Sequence, residues 1–493
     1  MSFRVLLAFL LACLGIPAFA ERASPSQDAD PDAGGKDGAT SKPTTSQPTT
    51  QVYILPPEDY TGELWSRSKL TGDWGGLRTE LDNKGVQFRV EVLQFMQGNA
   101  HGGKDTEDAI DYFGSTDYIL ELDTARMGLW PGGYIKVRGE TEFGHGIGDK
   151  VGSVSPTNFD ALFPEPDDCG LTTLTEAWMM QFLSEKLYVL AGKVDVSRLP
   201  GQNTLASDPY TQFMNTSLWQ PPVSFSLVPY TTMTAGAGVM PTDWFSAATL
   251  VMDSYGTPTR TGFDTAFHSP SGLTLLQSFS FNLKRLTNLP GTQRFNFAWS
   301  SRDRYDLDDL GRLALSGAAA PSFGRLNLPT RALSPWRSLP TIRGLAVRSL
   351  VSRWLEPEPQ SDDWAFWYDF DQYLYTEPDD PKQGIGLFGK FGWSPGDTNP
   401  VEAFYNIGIG GKGILPKRDR DTFGIGYYHL NLNDGLPGLL GIHSEQGIEL
   451  YYNVEVTKWL HITPDLQVII NPGGGFQDRD VALVYGIRAQ MSF

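Results

Sequence analysis

In "YIKVRGETEF" (134–143), Lys136, Arg138, Glu140 and Glu142 recur at every second residue. Side chains two residues apart share one face of a β-strand, so this spacing writes a row of cations and carboxylates. Arg89 and Glu91 in "VQFRVEV" (86–92) and Glu121 in "DYILELD" (117–123) belong to rows of the same kind. Carboxylates accept hydrogen bonds, while guanidinium and ammonium groups donate them. Such rows suit weak, reversible contact with a polar solute rather than bond-breaking chemistry.

Covalent and metal chemistry have no comparable pattern. His-Glu-x-x-His and Gly-x-Ser-x-Gly are both missing, and the six histidines are scattered. "GIGGKG" (408–413) satisfies Gly-x-Gly-x-x-Gly in form, but it sits inside a β pattern with no helix after it, which argues against a dinucleotide site. In "DRYDLDDLG" (303–311), Asp306, Asp308 and Gly311 fit the start of an EF-hand loop. Leu310 then stands where a third oxygen ligand belongs, and Gly317 where the bidentate Glu belongs. No catalytic residue, metal site or cofactor is expected.

The charged rows need elements to hold them, and the opposite face of each segment is apolar. Val86, Phe88, Val90 and Val92 back the first row; Tyr118, Leu120 and Leu122 the second; Ile135, Val137 and Phe143 the third. No run after the first twenty residues reaches the ~18 apolar residues of a membrane helix. Strands alternating apolar-out and polar-in are the other way across a bilayer, because a closed barrel pairs every backbone group. A secreted β-sandwich also alternates, but its outward face needs no steady array of paired charges. The final strand, "VALVYGIRAQMSF", sets Leu483, Tyr485, Ile487, Ala489, Met491 and Phe493 on one face and ends on that aromatic. "WAFWYDFDQYLY" (364–375) supplies rings of the kind that line membrane interfaces. The expected fold is all-β: a transmembrane antiparallel β-barrel of about sixteen strands over residues 61–493.

The N-terminal sequence reads differently. Residues 1–20 carry one cation, Arg4, then an apolar run that closes on Ala18-Phe19-Ala20, the layout of a secretory signal peptide. "LLAC" at Leu10–Cys13 also loosely fits a lipoprotein box. Residues 21–60 are expected to be a disordered linker, since 21–51 hold no aromatic residue and no aliphatic one larger than Ala. Cys169 alone would survive processing, so no internal disulfide is expected. The formal charge of −18 argues against nucleic acid as a partner. Within "WSRSKLTGDWGGLRTELDNKG" (65–85), Asp73 can cap a short helix and Gly85 can end it in a left-handed conformation. Leu77 and Leu81 would dock that helix on the barrel, leaving Arg78, Thr79, Glu80 and Asp82 to water.

Several of these segments together resemble the carbohydrate-selective porins of Gram-negative outer membranes, the OprB-type family. The resemblance lies in "LTGDWGGLRTELDNKGVQF", in "LTEAWMMQFLSEKLYVLAGKVD" (174–195), in residues 383–430, and in "WLHITPDLQVIINPGG" (459–474) followed by "YGIRAQMSF". It implies passive diffusion of mono- and oligosaccharides into the periplasm and a monomer rather than a trimer. The sugars, the lipid bilayer and lipopolysaccharide are then the partners. The Ala-Gly-Lys-x-Asp turn of that resemblance adds Lys193 and Asp195 to the expected lumen set, and the strand before it adds Glu176. The stretch 310–355 departs from the family pattern: it bears seven Arg, Arg312 to Arg353, and no Asp or Glu. If it lines the pore, a general or anion-preferring porin is the rival reading. An outer-membrane barrel enzyme is the rival from another class.

Overall fold

The computed structural model describes residues 54–162, 172–199, 202–256, 262–263, 271–305, 359–433, 443–475 and 481–493. The leader with Cys13, most of the linker, Cys169, the acidic loop at 306–311 and the Arg-rich stretch lie outside them. Sixteen strands pair antiparallel, each with its chain neighbours, and the last returns to the first. They are β1 (Val86–His101), β2 (Ile110–Asp123), β3 (Gly133–Gly144), β4 (Thr172–Ser184), β5 (Leu187–Asp195) and β6 (Thr231–Val239). Then come β7 (Phe245–Asp253), β8 (Leu273–Asn282), β9 (Gly291–Ser300), β10 (Asp363–Thr376) and β11 (Gly384–Trp393). The last five are β12 (Val401–Lys412), β13 (Thr422–Leu432), β14 (Ser444–Thr457), β15 (Leu460–Ile470) and β16 (Val481–Ser492). Closure runs from Glu91 opposite Ser492 to His101 opposite Leu483, so the barrel itself has no open edge; Arg304–Tyr305 and Pro359–Gln360 pair in a separate two-stranded sheet.

The alternation assigns faces as the sequence predicts. Phe88, Tyr118, Ile407, Ile425, Tyr485 and Ile487 point outward and stay exposed, whereas Glu91, Asp117, Glu121, Arg138, Glu140 and Arg488 are buried inside. In the aromatic run, Trp364, Phe366, Tyr368 and Phe370 alternate with buried Ala365, Trp367, Asp369 and Asp371. Trp364 packs edge-on to Trp393 with centroids 5.0 Å apart, and Tyr368 meets Phe295 at 5.0 Å. A polar interior is not the whole rule, however. Leu93 and Phe95 of β1 face inward, almost fully buried, and cluster with Met214 from a distant connection.

Short turns such as 185–186, 240–244 and 458–459 join strands at the end where the chain terminates; the connections that follow Gly144, Asp195 and Ser300 leave from the other end.

The short helix α1 (Leu77–Asn83) sits at the short-turn rim, and its docking face is the reverse of the expected one. Leu77 is 51 % exposed, while Arg78 and Asp82 are the buried residues. Arg78 donates to the carbonyls of Phe88 and Phe493 at 2.7 and 2.9 Å and stacks over Tyr60. Asp82 accepts from Glu58 N and from Arg126, both at 2.8 Å. The rim offers unpaired backbone carbonyls rather than an apolar groove, so polar side chains dock there. Gly76, not Asp73, occupies the N-cap position, but the Asp73 carboxylate reaches over it to accept from Thr79 N in the first turn at 2.8 Å, and Gly85 takes φ +78°. Within the expected linker, residues 54–60 pack onto the same rim. Ile54 and Leu55 are buried, and Ile54 N donates to Asp123 at 2.9 Å.

Candidate functional site: a charged wall and an inserted loop

The connection after β5 turns into the barrel. Asp195 starts it by accepting from Ser197 N at 3.0 Å, which caps a single 3-10 turn, Val196–Arg198. Lys193 and Asp195 therefore belong to the end of a strand, not to the turn expected there. Farther on, Leu205, Phe213, Leu218 and Val223 reach the opposite wall, which is glycine-rich where they land. A Cβ at Gly410 would come 2.8 Å from the Leu205 carbonyl oxygen. One at Gly424 or Gly426 would come 2.7 Å from the side chain of Phe213 or Leu218, and one at Gly392 2.7 Å from Val223. The "GIGGKG" sequence lies in and just after β12, and its Gly410 is part of this seat for the inserted loop.

Polar side chains of the far wall then tie down the loop's backbone. The Glu449 carboxylate accepts from Met214 N at 2.6 Å and Asn215 N at 2.9 Å. Lys390 donates to the carbonyl of Leu218 at 2.9 Å, Asn406 to that of Ser217 at 2.6 Å and Arg488 to that of Gln212 at 2.8 Å. A second inward segment, 145–162, braces the first. Val154 N and Ser155 N donate to Glu445, Phe159 N donates to the Met214 carbonyl, and the Phe159 and Trp219 rings lie 3.9 Å apart.

On the near wall, Arg138 and Arg198 form one ion-pair cluster. Arg138 meets Glu140 and Asp195 at 3.0 Å, Glu176 at 3.4 Å and Asp117 at 3.6 Å. Arg198 meets Asp160 at 3.3 Å, Asp195 at 3.4 Å, Asp117 at 3.5 Å and Glu140 at 3.8 Å. Lys136 completes it at 2.9 Å from Glu176. A bulge between β3 and β4 skips Thr175 in the register and leaves both Thr175 and Glu176 buried beside Arg138, whose Nε donates to Thr175 at 2.9 Å. Tyr230 donates to Glu140 at 2.8 Å, and Tyr210 to Asp117 at 2.6 Å. Burial pushes the Asp160 carboxyl above its ordinary range, against the pull of Arg198.

Of the nine expected lumen residues, Arg138, Glu140, Glu176 and Asp195 thus come together. Arg89 and Glu121 form a neighbouring pair at 3.0 Å, with Tyr134 donating to Glu121. Glu91 lies at the closure seam, where Ser492 and Gln490 both donate to it at 2.7 Å and Lys69 stands at 3.7 Å. Glu142 is buried farther along β3, and Lys193 donates to the Gly262 carbonyl. Arg89 alone among them keeps more than a third of its side chain, 37 %, open to the lumen. The sequence reading did not include Arg198, Asp160, Tyr210 or Tyr230. They lie on connections, where no alternation marks a residue as inward. Asp117 was visible on a polar face.

The family model of the carbohydrate-selective porins, OprB family, matches residues 107–493. Porin B of Pseudomonas aeruginosa is 23 % identical over 465 residues, spanning 86 % of this chain and 91 % of that protein. A high-pH structure of Pseudomonas putida OprB superposes with a TM-score of 0.71 at 21 % identity, covering 88 % of this chain and all of that one. The low-pH structure of the same protein gives 0.50 at 17 % identity over 87 % of this chain and 99 % of that one. With the model matched over most of the sequence and every strand of the closed barrel in place, the chain belongs to the carbohydrate-selective porins of the OprB family.

Proposed function

We propose that Arg89 and Glu121 form the contact surface for mono- and oligosaccharides diffusing passively through this barrel, and that the Arg138–Arg198 cluster holds the inserted loop which narrows the path. Membership of a carbohydrate-selective family makes the barrel an outer-membrane channel for sugars, with short turns toward the periplasm. The observation that carries the assignment is the inward loop seated against a wall whose deeper charges are consumed in ion pairs, leaving Arg89 open. A pore lined this way offers donors and acceptors without a deep, tight pocket, which suits flux. Five carboxylates against three cations around Arg138 disfavour an anion as cargo. The resemblance to the family implies a monomer, and the long loops would face lipopolysaccharide.

Planar-bilayer recording with the purified chain tests this. Current blocked reversibly by millimolar glucose or maltose, with weaker block in Arg89→Ala, supports the reading. Conductance that is anion-selective and indifferent to sugars would replace it with a general porin, and no conductance would remove both.

A further inference from the structure

Below the inserted loop, in the short-turn half of the barrel, lies a cavity of about 300 Å³. Its roof is residues 204–212 of the loop, and its walls come from β10 and from the periplasmic ends of β12 to β15. It is separate from the Arg138 cluster, which stands on β2 to β5. Its volume is at the small end of the roughly 300–1,000 Å³ of ligand sites, fitting one or two small rings.

The lining has a specific chemistry. His461 Nδ1 lies 2.9 Å from Asn453 Oδ1, while Asn453 Nδ2 donates to Thr463 at 2.7 Å. With the amide nitrogen committed to Thr463, Nδ1 carries the ring proton and Nε2 of the neutral imidazole is left as an acceptor. Asp208 and Glu455 supply carboxylates, and Lys412 and Arg420 supply cations; Arg420 pairs with Glu455 at 2.8 Å. The formal charges cancel, so the cavity attracts neither anion nor cation. Tyr373 and Leu205 give it an apolar side beside these polar groups. Balanced donors and acceptors with one aromatic face match a neutral polyhydroxylated ring, whose C–H side packs on the aromatic.

We infer that this cavity is a second sugar subsite, for one neutral hexose-type ring, which a permeant occupies after passing the inserted loop. The inference rests on the chain being a sugar channel. A single titration on the full-length protein separates the two: glucose block of bilayer current, together with the ring-nitrogen NMR signals of ¹⁵N-histidine-labelled protein. His461→Phe, which keeps the ring and loses the acceptor, identifies the His461 signal. The Nε2 signal of His461 should shift saturably over the glucose concentrations that block current. Both His461→Phe and Asn453→Leu should weaken block about fivefold, the loss of one hydrogen bond. Glucose block with an unmoved His461 signal, and with both variants blocking like the parent, would overturn the subsite while leaving the channel reading intact. No glucose block in the parent protein would overturn the channel reading and the subsite with it.

Discussion

Arg198→Ala is the sharpest perturbation of the inserted loop. Its side chain is 7 % exposed and lies within 4 Å of four carboxylates, Asp117, Glu140, Asp160 and Asp195. Removing one partner of a buried ion pair typically costs 3–5 kcal/mol. Arg138 remains 3.0 Å from both Glu140 and Asp195, so the lower end, about 3 kcal/mol, applies. That is roughly a hundredfold in the equilibrium between a seated and a released segment. The far-wall tethers are independent. Two hydrogen bonds to Glu449 and one each from Lys390 and Arg488 involve charged groups, each contributing about 1.5–3 kcal/mol. Together they exceed the loss, and Asn203, Leu205 and Pro209 are held to the far wall as well, so residues 202–220 should stay seated while 196–199 loosen. Single-channel recording should show larger, noisier conductance, and hydrogen exchange should quicken in 196–199 but not in 212–220. The variant should also become pH-sensitive. Asp160 already holds its proton above the ordinary carboxylate range, and losing Arg198 raises it further. A raised carboxyl stabilises the seated form more as pH falls, so conductance should drop back toward the parent value as the pH is lowered. Unchanged exchange in 196–199 would refute the cluster as the loop's near anchor. Fast exchange through 212–220 as well would refute the independence of the two anchors.

Glu449→Leu leaves the amides of Met214 and Asn215 buried without their acceptor, at about 1–3 kcal/mol each; faster exchange at 212–216 and weaker sugar block in a folded barrel are expected. Gly426→Val puts a side chain where Leu218 packs, with the Cβ alone only 2.7 Å away, and overpacking costs about 1–3 kcal/mol; conductance should rise while heat resistance of the barrel on gels is kept. Arg89→Ala should weaken sugar block several-fold and, because it leaves the buried Glu121 carboxylate without its cation, cost about 1–3 kcal/mol in unfolding. Arg78→Ala removes both hydrogen bonds to the rim carbonyls, so slower assembly and a loss of about 3 kcal/mol in urea unfolding are expected.

The faces of β1, β2, β3 and β16 were legible because lipid imposes a local rule. Every second side chain must be apolar outward, and a slip of one residue would turn Arg138 and Glu140 into hydrocarbon. The same rule placed the charged rows inside and named Arg138 and Glu140, and the family resemblance added Glu176 and Asp195, though neither gave that they neutralise one another. The helix failed for a related reason. Spacing marked Leu77 and Leu81 as a docking face, but the rim presents the carbonyls of Phe88 and Phe493, and Arg78 answers them. Only the tertiary structure determined the loop. Glu449 binds amides 235 and 234 positions away in sequence, and the glycines of β11 to β13 make sense only once Leu205, Phe213, Leu218 and Val223 lie against them. Strand alternation is written two residues at a time under a solvent that acts everywhere alike. The shape of the pore is set by contacts between distant segments, each chosen by what the opposite wall leaves empty or unpaired.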